Sequence, residues 1–173
     1  ADLLTVPTDH PTIQTAIDAA VVGDIVFIKP GQYFEHLDFH GKKITVTGDD
    51  PNTTVISPVI NGPVVVCTNG ETNESLLQNI TISGGNSPGG GGIYIENSSP
   101  TIRNCTFRNC GAISGGAAYV SGQCHPQFLE CTFNGNWAEV GGGAIEIVTA
   151  SCDLLDCTFL NNTAQSFGGA VMA

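Results

Sequence analysis

The chain has 173 residues, a formal net charge of −11 at pH 7 and only 12% charged residues. An acidic chain with five basic residues is unsuited to nucleic acid and to anionic membrane surfaces, since both attract positive charge. No run of about 18 apolar residues is present, so we expect no membrane insertion. The length suits one domain over residues 1–173.

The first 23 residues are predicted to form an N-terminal segment and a short capping helix. Pro11-Thr12 is typical of a helix start, and Gly23-Asp24 of its end. Four apolar side chains would share one face of this helix: Ile13, Ala16, Ile17 and Ala20. Such an amphipathic helix can cover the end of a hydrophobic core.

Residues 24–173 contain no helical periodicity and are predicted to be strands and turns. A strand over residues 25–28 is followed by the turn Pro30-Gly31 and by strands within 33–39 and 44–47. The acidic turn that comes next could ligate calcium through Asp49, Asp50 and Asn52. An ordinary solvated turn is the alternative, and we expect no other cofactor or metal.

A repeat of 26 residues dominates the second half. Its copies are Asn104 to Phe107, Glu130 to Phe133 and Asp156 to Phe159, each ending in Cys-Thr-Phe, with an earlier copy over residues 79–82. Gly-Gly-Ala triplets recur in phase with them. Fixed periods of this length are typical of solenoids.

Between the copies, apolar residues alternate, as in Ile93 and Ile95, which is strand periodicity. About 25 residues per coil fits three strands and their turns. We therefore predict an all-β, right-handed, single-stranded parallel β-helix of about six coils, with an uncapped C-terminal end. Two inward columns should stack once per coil: Ile80, Cys105, Cys131 and Cys157 in one, and Ile82, Phe107, Phe133 and Phe159 in the other.

Two parts of the chain resemble known families. The segments TIQTAIDAA (12–20), IKPGQYFE (28–35) and KITVTG (43–48) resemble the start of pectin methylesterases and, more broadly, the pectin-lyase-like superfamily. The Cys-Thr-Phe and Gly-Gly-Ala copies are similar to the repeats of polymorphic outer-membrane proteins and other secreted β-helix surface proteins. Together these resemblances imply the β-helix fold.

The same resemblances imply catalytic sets that the sequence does not match. An esterase should have an aspartate pair and a substrate-binding arginine on consecutive coils, but Asp38-Phe39 lies on the first coil and no partner motif follows. A lyase should have acidic calcium ligands beside a basic residue, and neither Arg103 nor Arg108 has them in register. We therefore expect no catalytic residues and lean against an enzyme.

Other side chains are candidates for modification or binding. The stacked cysteines are interpreted as buried free thiols, whereas Cys124 and Cys152, at equivalent corners of neighbouring coils, could form a disulfide. Tyr94 and Tyr119 point outward on successive coils and could stack on sugar rings. Six sequons could carry glycans: Asn52, Asn73, Asn79, Asn97, Asn104 and Asn161.

Two functions remain open. The first is a non-catalytic extracellular or cell-surface structural protein that stacks end to end into filaments. Its contacts would come from Leu3, Leu4 and Val6 at one end and from Gly168, Gly169 and Val171 at the other. The alternative is an extracellular protein that binds or degrades polysaccharide, with a polysaccharide rather than a second copy as its partner.

Overall fold

The computed structural model describes residues 1–173 and contains one helix, α1, and 23 strands. The helix spans Ile13–Ala19. The strands of the first coils are β1 Leu3–Val6, β2 Ile25–Ile28, β3 Gly31–Phe34, β4 Leu37–Asp38, β5 Thr45–Gly48, β6 Thr54–Ser57, β7 Val65–Cys67, β8 Leu76–Gln78, β9 Thr81–Ser83, β10 Asn86–Gly89 and β11 Ile93–Glu96. The later strands are β12 Thr101–Arg103, β13 Thr106–Arg108, β14 Gly111–Ser114, β15 Ala118–Ser121, β16 Gln127–Leu129, β17 Thr132–Asn134, β18 Trp137–Gly141, β19 Ile145–Val148, β20 Asp153–Leu155, β21 Thr158–Leu160, β22 Thr163–Ala164 and β23 Val171–Met172.

Every strand pairs in parallel with its counterpart one coil away, which gives four sheets along one solenoid. Sheet 1 is β1-β2-β5-β8-β12-β16-β20, and sheet 2 is β3-β6-β9-β13-β17-β21. Sheet 3 is β4-β7-β11-β15-β19-β23, and the shorter sheet 4 is β10-β14-β18-β22. The parallel β-helix prediction is confirmed, but sheet 1 has seven strands where six coils were expected. The count was low because β1 adds a coil before the helix.

The predicted inward columns form the core. Phe107 pairs with Phe133, and Phe133 with Phe159, in continuous register on sheet 2. Their rings stack with centroids 5.1 and 4.9 Å apart and planes within 7° of parallel. Phe128 packs against Phe107 and Phe133 edge-on. These aromatic contacts add to the apolar area that each coil buries.

The cysteine column is also buried as predicted, except at the last coil. Cys105 and Cys131 are 1% exposed, whereas Cys157 is only partly buried. Each thiol lies within 3.7 Å of backbone carbonyls of its own coil and of a neighbouring coil. The cysteines therefore fill a narrow corner and use their weak donors on backbone oxygens there.

Left-handed residues make the corner between sheets 1 and 2 in each of the later coils. The four residues directly before the cysteine column have positive φ between 46° and 57°: Asn79, Asn104, Glu130 and Asp156. Asparagine tolerates this region best, and Asn104 Nδ2 donates to Asn79 Oδ1 at 2.8 Å, so the corner also stacks.

Helix α1 packs its fully buried Ile13, Ala16 and Ile17 against β1, β2 and β4. Two side chains of the following coils hold its ends. Glu35 accepts from the backbone N–H groups of the first turn, and Lys42 Nζ donates to three carbonyls of the last turn. The helix ends at Ala19, earlier than predicted: the backbone of Ala20 is extended, and the Val21 N–H donates to Asp24 Oδ2 instead of to a helical carbonyl.

Candidate functional site: a tyrosine groove

Tyr94 and Tyr119 face outward from sheet 3 at the same register position of β11 and β15. Their neighbours Ile93 and Ile95 are buried, as strand alternation requires. The two rings are partly buried and stack, with centroids 5.6 Å apart and planes 6° from parallel. The prediction that they project outward on successive coils is confirmed.

The tyrosines form one wall of a cavity of about 280 Å³, which we call the tyrosine groove. Its other wall is Pro88, Gly89 and Ser114, and the last two are register partners in sheet 4. A Cβ added to Gly89 would lie 3.3 Å from the Tyr119 ring. Glycine at this position therefore lets the rings pack close to sheet 4 and keeps the groove narrow.

The groove has polar as well as apolar surface. Of the three tyrosines in the chain, only Tyr33 donates its hydroxyl within the chain, to the Lys29 carbonyl at 2.8 Å. The hydroxyls of Tyr94 and Tyr119 thus stay available to a ligand, beside the Ser114 side chain. Such a mixture is typical of small-molecule and sugar sites.

A buried carboxylate lies next to the groove. Glu146 follows Tyr119 in the outward column of sheet 3, is 9% exposed, and its Oε2 has no hydrogen-bond partner. A Cβ at Gly141 would lie 2.7 Å from that oxygen, so glycine there makes room for it. Burial raises the pKa of Tyr119, and the negative charge of Glu146 raises it further.

Sequence reasoning found the tyrosines and missed Pro88, Gly89, Ser114 and Glu146. Residues 86–89 contain proline and glycine, which disfavour strands, yet they form β10 at the edge of sheet 4. The repeat period could have located the missed residues, because it shows which residues occupy equivalent positions on neighbouring coils. Glu146 occupies the same position of its coil as Tyr119 does of the coil before.

The two corner cysteines are both thiols in the structure. The Cys124 thiol donates to the Ser121 carbonyl at 3.2 Å. The pKa of Cys152 is raised to about 11, first by burial and then by the charge of Asp153, with Cys124 among its other neighbours. The disulfide stays a prediction.

The six sequon asparagines divide into two groups. Asn79, Asn104 and Asn161 donate their side-chain amides to side chains of adjacent coils, so a glycan there would displace a bond of the stack. The others are exposed without such a donation to the next coil: Asn52, Asn73 and Asn97. Glycosylation stays a prediction at all six.

The acidic turn is held by hydrogen bonds between its own residues. Asp50 Oδ1 accepts from the Asn52 backbone N–H at 2.8 Å and from its side-chain amide at 2.7 Å. No group of three or more His, Cys, Asp or Glu side chains clusters as metal ligands would. Calcium binding through Asp49, Asp50 and Asn52 stays a prediction.

The proposed assembly residues occupy outer strands and their turns. Leu3, Leu4 and Val6 form β1, which already pairs with β2 of the same chain, and Val6 is fully buried. Val171 lies in β23. Gly168 and Gly169 form the turn before β23 and are exposed. A donated N-terminal strand would first have to leave the ladder of its own chain.

Comparison with known families agrees with this architecture. The model of the right handed beta helix region matches residues 26–164. The chain belongs to the right-handed β-helix family. A second model, the repeat of the Chlamydia polymorphic membrane protein, matches residues 156–173 of this β-helix chain, the last Cys-Thr-Phe copy among them. Both predicted resemblances are confirmed.

Solved structures similar to this β-helix include two pectin methylesterases. One, in complex with hexasaccharide VII, has 13% identity and a TM-score of 0.54, with 89% of this chain and 66% of that one covered. The other, from Aspergillus niger in penultimately deglycosylated form, has 15% identity and a TM-score of 0.50, with 99% and 80% covered. At these identities the likeness concerns the fold, and the chain spans 66% of the first esterase's length. No curated protein sequence matches significantly.

No helix of this β-helix chain has the length and apolar character needed to span a lipid bilayer.

Proposed function

We propose that this chain is an extracellular β-helix that binds a neutral polysaccharide in the tyrosine groove. The observation that carries the proposal is the cavity of about 280 Å³ between the stacked tyrosines and sheet 4. Sugars combine apolar C–H faces with hydroxyls, and the groove offers ring carbons and Pro88 beside the hydroxyls of Tyr94, Tyr119 and Ser114.

Charge supports a neutral ligand rather than a polyuronate. Glu146 and Glu96 both lie close enough to Tyr119 to raise its pKa, and the whole chain carries −11. An acidic polymer in this groove would face like charges. The fold itself is suited to extended sugars, since a pectin methylesterase of the same fold was solved with a hexasaccharide.

Binding rather than cleavage is the function proposed for the groove. Glycoside hydrolysis ordinarily uses two carboxylates that flank the scissile bond. Here two carboxylates, Glu146 and Glu96, lie near Tyr119, but neither lines the groove, and the inner oxygen of Glu146 is covered by its own coil.

Calorimetry with uncharged oligosaccharides and with oligogalacturonates tests the proposal. We expect binding of an uncharged ligand, weakened about two- to tenfold by Tyr94→Ala or Tyr119→Ala because a ring contact is lost. Tyr33→Ala is the matched control, since that ring lies on sheet 2, and it should bind like the wild type. Preference for oligogalacturonates, or equal weakening by all three substitutions, would contradict the proposal.

End-to-end stacking is a second proposal, supported by Leu3, a large apolar side chain on β1 that is 62% exposed. Sedimentation velocity on the wild type and on Leu3→Lys tests it, and assemblies should dissociate in the variant. Deleting residues 1–6 is a poorer test because it also removes Val6 from the core.

A further inference from the structure

A second group of reactive side chains lies at the corner where β15 and β19 end and the chain turns into sheet 1. His125 Nδ1 is 2.7 Å from Ser151 Oγ, and His125 Nε2 is 2.9 Å from Asp153 Oδ1. Ser151 follows His125 by 26 residues, one coil, so the two side chains stack directly. A serine, a histidine and an aspartate are thus joined in one hydrogen-bonded chain.

The backbone and one further side chain fix this arrangement. The His125 N–H donates to Ser99 Oγ at 2.9 Å, one coil earlier, and the Ser151 N–H donates to the Cys124 carbonyl at 3.2 Å. Gln127 Nε2 donates to Asp153 Oδ2 at 3.1 Å. The triad is therefore held by the coil register rather than by a flexible loop.

The hydrogen bonds also set the proton positions. Asp153 can only accept, so Nε2 of His125 carries the proton and Nδ1 presents its lone pair to the Ser151 hydroxyl. The bond from Gln127 and then that from His125 lower the pKa of Asp153, which keeps it ionised. This is the tautomer that a general base for serine requires, with the two ring nitrogens exchanged relative to the usual protease triad.

We propose that Ser151, His125 and Asp153 form an esterase site that hydrolyses short-chain carboxylic esters. Ser151 Oγ bonds to the ester carbonyl carbon while its proton moves to His125 Nδ1, and Asp153 stabilises the imidazolium. The C–O bond to the alcohol then breaks, and the alcohol leaves with that proton. Water, activated the same way, attacks the acyl-serine and releases a carboxylic acid and the free serine.

Two features define the substrate. The N–H of Cys152, the residue after Ser151, donates no hydrogen bond within the chain and can bind the developing oxyanion. The cavity of the molecule lies elsewhere, at the tyrosine groove, so nothing here encloses a long acyl chain. The His125 and Asp153 side chains are 52% and 38% exposed, so an ester carried on a large alcohol can reach them from solvent.

Two measurements on the full chain test the site: hydrolysis of 4-nitrophenyl acetate, and covalent labelling by a fluorophosphonate with the modified residue mapped by mass spectrometry. We expect labelling at Ser151 and its loss in Ser151→Ala. His125→Gln should lower hydrolysis about 100-fold or to the background rate, because it removes the general base. Ser166→Ala, an exposed serine of the same coil, is the control and should match the wild type.

The role of Asp153 as a positioning residue needs its own readout. Wild-type hydrolysis should fall in acid, because a protonated imidazole accepts no proton from serine. Asp153→Asn should lower the rate about tenfold or more and change this pH profile, whereas a merely structural aspartate would leave the profile unchanged. No labelling of Ser151, or hydrolysis unchanged in Ser151→Ala, would overturn the proposal. All three side chains reach the surface, and far-ultraviolet circular dichroism checks that each variant is folded.

Discussion

Two regions of this solenoid are built differently. In the variable region, residues 1–75, the interval between paired strands of sheet 1 changes from 20 residues (Ile25 to Thr45) to 31 (Thr45 to Leu76). In the regular region, residues 76–173, it is 25 or 26 residues throughout. The helix belongs to the first region and the phenylalanine stack to the second.

The comparison shows what regular coils make possible. Sheet 4 exists only in the regular region, and it supplies the wall that faces Tyr94 and Tyr119. The Ser151–His125–Asp153 triad also needs neighbouring coils of equal length, since its members come from two coils. The variable region instead holds its helix with two charged side chains, Glu35 and Lys42, which hydrogen-bond to the backbone at the two helix ends.

The largest expected effect comes from breaking the stack of the regular region. Phe133 is fully buried between two rings, so Phe133→Ala should lower the free energy of unfolding by about 3–5 kcal/mol. Phe34→Ala in the variable region, where the ring is 59% exposed, should change it by less than about 0.5 kcal/mol. Urea unfolding measures both, and similar losses would show that the stack is not the main source of stability.

A smaller effect is expected at the helix of the variable region. Glu35→Gln keeps the shape of the side chain but leaves one N–H of the first helical turn without an acceptor. The free energy of unfolding should fall by about 1–2 kcal/mol. Glu139→Gln, at an exposed position of β18, is the matched control and should be neutral. A neutral Glu35→Gln would mean that water replaces the carboxylate at no cost.

The two regions differ in how far the sequence predicted them. Cys-Thr-Phe copies recur at one interval, so the inward columns at Cys131 and Phe133 could be placed without coordinates. No repeat marks β1, because Leu3–Val6 has no copy at that spacing, and the coil count was therefore one short. The sites were harder still, since Gly89 and Glu146 gain their roles only from neighbours one coil away.

The prediction with the smallest effect on stability concerns the reactivity of Cys157, the last cysteine of the column. The neighbouring Cys131 thiol lowers the pKa of the partly buried Cys157 thiol to about 7, whereas burial raises the pKa of Cys105 to about 12. Alkylation of Cys157 should therefore be fast above pH 7 and slow below it, since only the thiolate reacts. Cys105 should resist throughout.

Cys131→Ala sharpens this test because it removes the neighbouring thiol that lowers the pKa of Cys157. The midpoint of Cys157 alkylation should then move upward from about 7 toward the ordinary thiol value of about 8.5. Mass spectrometry after timed iodoacetamide treatment gives the midpoint. An unchanged midpoint in the variant would show that Cys131 does not activate its neighbour.

The stacking of one coil on the next also determines which changes of chain length this protein can tolerate. Removing a single residue between His125 and Ser151 would shift the following strand by one position and turn its buried side chains toward solvent. Removing all 26 residues of one regular coil would instead leave the remaining ladders in phase. The fold should therefore accept insertions and deletions of whole coils, and it should be disrupted by insertions and deletions of only part of a coil.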